Sequence, residues 1–264
     1  MRRLEQKIAI VTGAGRGIGA AIARRFATEG ARVVIAELDP EQGQQTATAI
    51  AAETGAETLF VHTDISDAAS VAAMHAATVA HFGPVDVLVN NAGIAVFRTP
   101  LETSDDDWDR CMNVDLKGAW TCTKAVLPDM VTKQNGAVIN IISNHAFAII
   151  KGTFPYPVAK HGLLGLTRSL ALEYADQGIA VNAISPGYTD TQIAEDDFRA
   201  TGDAARARAK VEAMQPVGRL CQPDEIAAVA ALLASEEARF MIGENIVMDG
   251  GVTIRMYDDI RALD

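Results

Sequence analysis

The sequence predicts a doubly wound α/β domain, with a seven-stranded parallel sheet and helices on both faces. Three observations carry this prediction. Short β-branched apolar segments alternate along the chain with longer Ala-rich segments of helical spacing. The short segments are apolar at consecutive positions rather than at every second one, as strands covered by helices on both sides must be. No linker, internal repeat or low-complexity tract breaks the series, so residues 1–264 read as one domain.

The strand candidates are residues 7–11, 31–36, 57–62, 85–89, 136–142, 179–184 and 245–248. Between the first two, residues 17–29 carry helical spacing and complete a βαβ unit. Later helices begin where caps predict. Asp39-Pro40-Glu41 places a capping acid before a proline at the first helical position, and Ser104-Asp105-Asp106-Asp107 sets a capping hydroxyl before three acids at the positive end of a helix. One stretch is less regular. Residues 188–220 are rich in charge (Glu195-Asp196-Asp197, then Arg206, Arg208 and Lys210) and predict a helical lid over the carboxyl edge of the sheet.

Composition narrows the function. The chain has 264 residues, 49% of them hydrophobic, enough to bury a core without metal or disulfide staples. A net charge of −11 with no Lys/Arg cluster leaves little to neutralise a phosphate backbone, which excludes nucleic acid as the main partner. No apolar run approaches the roughly 18 residues of a membrane span, and the N-terminal residues 1–7 lead into only four apolar residues before a Thr-Gly turn; neither a membrane protein nor a secreted one is expected. Cys111, Cys122 and Cys221 are odd in number and lack a C-x-x-C pair, so reduced thiols and a cytoplasmic location are expected, with no metal site.

The turn after the first strand reads Thr12-Gly13-Ala14-Gly15-Arg16-Gly17-Ile18-Gly19. Glycines at 13, 17 and 19 permit a sharp turn, close approach of the backbone to a pyrophosphate, and tight helix packing, while the helix N-terminus offers N–H groups to the anion. The spacing is G-x-x-x-G-x-G rather than G-x-G-x-x-G. Glu37 ends the second strand, where a carboxylate accepts hydrogen bonds from a ribose diol and repels a 2′-phosphate. Arg16 pulls toward a 2′-phosphate but is equally a solvent-facing arginine, so the expected cofactor is NAD.

Two further segments complete the pattern: Asn90-Asn91-Ala92-Gly93 after the fourth strand, and Tyr156-Pro157-Val158-Ala159-Lys160 opening a helix, with Ser143 thirteen residues before the tyrosine. Tyr156 and Lys160 stand at i and i+4 on one helix face, where an ammonium stabilises a phenolate. Together with Asn113 in Asn113-Val114-Asp115-Leu116, Pro186-Gly187, and Met248-Asp249-Gly250-Gly251, these motifs resemble the short-chain dehydrogenase/reductase family over almost the whole chain. The resemblance implies a Rossmann-type fold and hydride transfer between a substrate C–OH and a nicotinamide. It implies that Tyr156 takes the hydroxyl proton, Ser143 holds the substrate oxygen, Lys160 also binds the nicotinamide ribose, and Asn113 holds a water in the proton relay. It further implies cofactor contacts at Ile18, at Asp64 and Ile65 after the third strand, and at Asn91 and Gly93. Pro186, Gly187, Thr189 and Thr191 complete that set, with Thr189 on the carboxamide. A homotetramer is implied, with helices within residues 111–130 and 156–176 at one interface. Ile242-Gly243 departs from the Thr-Gly of many relatives.

The substrate is a small molecule, and the residues flanking Ser143 and Tyr156 address its class. His145 and Lys151 stand where many family members have small residues, and the segment from Phe154-Pro155-Tyr156-Pro157 to Lys160-His161-Gly162 looks like the version in bacterial aldose 1-dehydrogenases, which oxidise the anomeric carbon of a cyclic sugar to a lactone. His145 is then a partner for sugar hydroxyls or else a loop-packing histidine. Lys151 and Arg98 would hold an acidic or sulfonated substituent, or else are solvated charges. The rivals are a 3-oxoacyl-(acyl-carrier-protein) reductase and a secondary alcohol or steroid dehydrogenase. The first is disfavoured by Gln134 and Gln177, where carrier-protein enzymes of the family hold arginines. A non-catalytic nucleotide-binding regulator is disfavoured by the joint presence of Asn113, Ser143, Tyr156 and Lys160. The tail from Val252 carries Arg255, Met256 and Tyr257 and either packs on a neighbouring subunit or frays.

Overall fold

A computed structural model describes residues 2–256 of the chain. The first βαβ unit forms as the alternation requires: β1 (Ile8–Thr12), α1 (Gly17–Thr28), β2 (Arg32–Glu37). Then follow α2 (Pro40–Thr54), β3 (Thr58–His62), α3 (Ala68–His81) and β4 (Val87–Asn90). Both predicted caps are made: Asp39 accepts the N–H groups of Glu41 and Gln42, and Ser104 accepts that of Asp107.

After β4 comes a two-residue strand, β5 (Phe97–Arg98), then α4 (Asp105–Met112), a wide π-helical turn (Asn113–Gly118), α5 (Ala119–Lys133) and β6 (Gly136–Ile141). β7 (Phe154–Pro155) pairs antiparallel with β5 and leads directly into α6 (Tyr156–Tyr174). This small ribbon was not foreseen, because two residues are too few for periodicity to register. β8 (Ile179–Pro186), α7 (Gln192–Ala200), α8 (Ala204–Met214), α9 (Pro223–Ala234) and β9 (Asn245–Met248) complete the described elements.

The main sheet runs β3-β2-β1-β4-β6-β8-β9, with every pairing parallel. Strand side chains alternate between two cores. Ala9, Val11, Val33, Ile35, Val87 and Val89 face α1, α2 and α9. Ile8, Ile10, Val34, Ala36 and Leu88 face α3, α5 and α6. Both faces are therefore dry, and each fully buried Val, Ile or Phe contributes about 1.5–3 kcal/mol. The order reverses between β1 and β4, and the crevice beyond the carboxyl ends of these strands is where such sheets bind ligands.

Residues 188–220 hold α7 and α8 around a small core of Ala194, Phe198 and Leu220. Arg208 ties this segment together, bonding Asp190, Glu195 and Glu212. Asp190 N–H donates to Cys221 O at 2.8 Å and Cys221 N–H to Tyr188 O at 3.0 Å, closing the segment at its base. At Gly243, φ is +71° and its N–H donates to Val181 O at 2.9 Å, so the Ile242-Gly243 variant keeps a glycine turn into β9. Among the described residues no helix is long and apolar enough to cross a membrane. Tyr257 and the residues after it lie outside the described ones.

Candidate active site and cofactor crevice

The glycine turn is a cradle that side chains would fill. Gly13 and Gly17 have φ of +62° and +57°, in the left-handed region that L side chains rarely adopt. A Cβ at Gly13 would stand 2.8 Å from Ala92 Cα, and one at Gly19 only 2.2 Å from Gly13 O. Arg16 is exposed and makes no side-chain cap, so the first N–H groups of α1 stay available to an anion. Thr191, the N-cap of α7, approaches to 3.4 Å of where a Gly17 Cβ would lie, joining residues 188–220 to the turn. These features fit the pyrophosphate of a nicotinamide dinucleotide.

The strand after the switch point clamps this cradle. Asn91 Nδ2 donates to Thr12 O at 2.9 Å and to Gly13 O at 3.0 Å, while Thr12 Oγ1 accepts the N–H groups of Asn91 and Ala92. Glu37 is fixed at both oxygens: Oε2 accepts Gly15 N–H at 2.9 Å, and Oε1 accepts Leu38 N–H at 2.9 Å and Asp39 N–H at 3.2 Å. Asp64 holds Ser66 through Oδ1. Ile65 is buried against the position where a Gly118 side chain would stand, so it shapes the wall from within the core. Ile18 packs half-buried against the opposite core. Pro186 ends β8, and Gly187 lies so close to Asp249 that a Cβ would stand 2.9 Å from its Cα. Thr189 Oγ1 donates to Gly187 O at 3.1 Å.

Of the residues that the sequence names as candidates for catalysis, Ser143, Tyr156 and Lys160 come together from separate elements. Tyr156 and Lys160 share the first turns of α6, with Lys160 Nζ 5.2 Å from the centre of the Tyr156 ring. Ser143 lies in the loop after β6, where its Oγ accepts His145 N–H at 3.1 Å and sits 3.2 Å from His145 Nδ1. Asn113 opens the π-helical turn between α4 and α5, a widening of the helix that is common at functional sites.

Three rings enclose this cluster. Phe97 and His145 each meet Tyr156 edge-on, with ring centres 5.5 Å and 5.7 Å away, and stack on each other at 6.4 Å. Phe97 comes from β5, so the short ribbon exists to set this wall; its one signal in the sequence is an aromatic residue close behind Gly93. Arg98, the next residue along β5, is not brought into the cluster. It lies half-exposed, 3.7 Å from Asp107. Lys151 is exposed on the loop between Ser143 and β7.

Electrostatics follow from burial. Burial pushes the Tyr156 phenol above its ordinary value, with Lys160 the strongest group opposing the rise and Ser143 opposing it as well. Burial works to lower Lys160, yet Tyr156 and Asp115 carry it up. The lysine alone therefore does not bring the phenol below its ordinary value; the positive ring of an oxidised nicotinamide held beside it would add charge in the same direction as Lys160. Burial also pushes the His145 imidazole down, keeping it neutral near pH 7.

One residue that the sequence reading passed over belongs here. Asp115 has a fully buried side chain, with Oδ1 3.4 Å from Lys160 Nζ and accepting Ile94 N–H at 3.1 Å. Its signal was present in the sequence: an acid between apolar residues on a helix must find a partner, and Lys160 was the charge on offer.

Comparison with known proteins agrees with this geometry. The family described as enoyl-(acyl carrier protein) reductase matches residues 13–253. A cis-4-hydroxycyclohexanecarboxylate dehydrogenase of Sinomonas cyclohexanicum is 41% identical, over 94% of this chain and 97% of its own. A D-threitol dehydrogenase of Mycolicibacterium smegmatis is 38% identical, over 96% and 95%. An actinorhodin polyketide ketoreductase solved with NADPH superposes with a TM-score of 0.91 at 34% identity, covering 94% of this chain and 98% of its own. The chain belongs to the short-chain dehydrogenase/reductase family, whose nicotinamide-dependent members among these relatives act on CH–OH donors.

Proposed function

We propose that the chain is an NAD-dependent dehydrogenase that oxidises the carbinol of a small, hydroxylated six-membered ring, with an aldose in its ring form, oxidised at C1 to a lactone, as the leading candidate. The observation that carries this reading is the three-ring wall around Ser143 Oγ. Flat rings cover the faces of a cyclic substrate. His145 Nε2 is buried without a partner among the described residues, a cost of about 1–3 kcal/mol that a substrate hydroxyl would offset.

In this reading Ser143 Oγ donates to the carbinol oxygen and Tyr156 accepts its proton, while the hydrogen on carbon leaves as hydride. A bound nicotinamide would supply the acceptor for that hydride. Lys160 keeps the phenolate charge compensated and reaches the nicotinamide ribose; Asn113 holds the relay water. The fixed carboxylate of Glu37 supports NAD over NADP, since a 2′-phosphate would meet an anion already oriented by three N–H groups. Residues 188–220 would close over the substrate from the Thr191 end.

A second reading, an alicyclic ring alcohol, is favoured by a specific observation: Phe147, Ile149 and Ile150 stand exposed on the loop beyond His145. The cis-4-hydroxycyclohexanecarboxylate dehydrogenase is named for such a substrate. A screen of aldoses, sugar acids and hydroxycyclohexanes with NAD and NADP, read at the NADH absorbance, separates the two. Turnover of only open-chain alcohols or β-ketoacyl thioesters would refute both. Exposed Trp120, Val158 and Leu172 on α5 and α6 support a homotetramer joined through those helices, and three free thiols support the cytoplasm.

A further inference from the structure

We infer that Asp115 is a positioning residue for the reaction: its buried carboxylate holds the Lys160 ammonium against the Gly93–Ile94 turn and so sets where that cation stands relative to Tyr156. This rests on the reading of Tyr156 and Lys160 as the reacting pair.

The geometry is closed on every side. Asp115 lies in the π-helical turn, with no exposed side-chain surface, and Lys160 on α6 is 5% exposed. Oδ1 takes both Lys160 Nζ at 3.4 Å and Ile94 N–H at 3.1 Å, so one oxygen ties α6 to the loop after β4. That loop passes so near that a Cβ on Gly93 would stand 2.5 Å from Oδ1 and 3.5 Å from Lys160 Nζ. Oδ2 lies 3.7 Å from Cys111 Sγ, a thiol that burial pushes up to about 12 and so keeps protonated. The Gly93 turn and the catalytic lysine are thus registered through one carboxylate.

Burial pushes the Asp115 carboxyl above its ordinary value, and Lys160 and the Ile94 N–H oppose that rise; as a carboxylate it also acts on Tyr156. The polar and charged groups facing the phenol are Lys160 from α6, Asp115 from the π-helical turn, Cys111 from α4, and Ser143 and His145 from the loop after β6. Lys160 and Ser143 favour the phenolate, whereas Asp115 as a carboxylate disfavours it; the protonated Cys111 thiol adds no charge near neutral pH. Removing the Asp115 charge while keeping its shape therefore moves the phenol to a lower pKa.

The test is the pH profile of kcat in the oxidative direction, for the full chain with saturating NAD. Asp115→Asn should shift the acid limb down by about one pH unit, a roughly tenfold change in the phenolate-to-phenol ratio below the limb. It should also raise KM for NAD several-fold as Lys160 loses its anchor. Asp115→Glu, which keeps the charge, should hold the limb in place even where its kcat falls. If Asn does not fold, Asp115→Ser carries the comparison. An unmoved limb in the neutral variant that folds overturns the inference, and a protonated Asp115 in the native protein would give that same result. So would failure of both neutral variants to fold while Glu folds, since the carboxylate would then be structural only. Tyr156→Phe in parallel separates the two levels: full turnover by that variant would refute the reacting pair itself, not the role of Asp115 alone.

Discussion

The two ends of the crevice are made of different material. At the cofactor end, what faces a ligand is mostly backbone: N–H groups of α1, left-handed turns at Gly13 and Gly17, and a cradle held by Asn91 and Thr12. At the substrate end, what faces a ligand is side chains on loops: Ser143, His145 and Phe97, with Lys151 and the exposed Phe147, Ile149 and Ile150 nearby. Backbone geometry of this kind admits few residue types, whereas a loop keeps its path under many side chains. The first end fixes which cofactor class the chain takes; the second is where members of one family part company.

The point where the two ends meet should give the largest effect. Tyr156→Phe removes one oxygen and leaves the ring wall with Phe97 and His145 in place. Because the lost hydroxyl acts on the transition state, kcat should fall by several orders of magnitude while the affinity for NAD, measured by fluorescence titration, stays within a few-fold. Retention of most of the turnover would show that proton transfer runs through another group.

Gly19→Ala tests the claim that the cofactor end cannot absorb a side chain. The added methyl would sit 2.2 Å from Gly13 O and 2.5 Å from Asn91 Nδ2, both of them parts of the clamp. Overpacking of this kind costs about 1–3 kcal/mol. NAD affinity should fall by about tenfold or more and the melting temperature by several degrees. The contrast is Gly152→Ala, on the loop between Ser143 and β7, where a Cβ meets nothing within 4 Å. Although Gly152 has φ of +87°, NAD affinity should not change there. Equal loss of NAD binding in both variants would erase the distinction between the two ends.

What could be read from the sequence follows the same division. The strands, their parallel order and the caps at Asp39 and Ser104 come from local patterns that depend on neighbours a few residues away. The positions of Tyr156, Lys160 and Ser143 were visible because a motif fixes each one. The ribbon of Phe97–Arg98 with Phe154–Pro155 joins segments more than fifty residues apart and is two residues long, so no periodicity announces it. Asp115 was legible only in part: its acid stood out, but its partner lies across the fold on α6. Arg98 looked like a substrate ligand because it follows Gly93 closely, yet the strand alternation that sends Phe97 toward Tyr156 leaves Arg98 beside Asp107.

Glu37 gives a smaller effect, since it changes preference and not chemistry. With three N–H groups holding its carboxylate, the anion cannot readily turn away from a 2′-phosphate. NAD should exceed NADP by at least tenfold in kcat/KM, about 1.4 kcal/mol. Glu37→Ser should narrow that gap, chiefly by raising the value for NADP. Equal use of both cofactors by the native chain would mean that Arg16, exposed at the start of α1, governs the choice instead.

The smallest expected effect separates Arg98 from Lys151. If an acidic substituent on the substrate is recognised, a charge-assisted hydrogen bond to it should be lost in the relevant alanine variant, raising KM for the anionic ring far more than for its neutral parent. Arg98 lies 3.7 Å from Asp107 and donates to Phe97 O at 3.0 Å, and it is about half exposed. A surface pair of this kind contributes about 0–1 kcal/mol, and its charge is already answered. Arg98→Ala should therefore leave KM for acidic and neutral substrates within about twofold, a ratio worth only about 0.4 kcal/mol. Lys151 sits on the loop that carries His145 and is exposed, so Lys151→Ala should raise KM selectively for the acidic substrate. Steady-state kinetics on a matched pair, a sugar acid and its parent aldose or a hydroxycyclohexanecarboxylate and its parent alcohol, read both variants at once. A tenfold selective rise for Arg98→Ala would show that substrate draws the guanidinium off Asp107, and the ribbon would then belong to the specificity surface as well as to the wall.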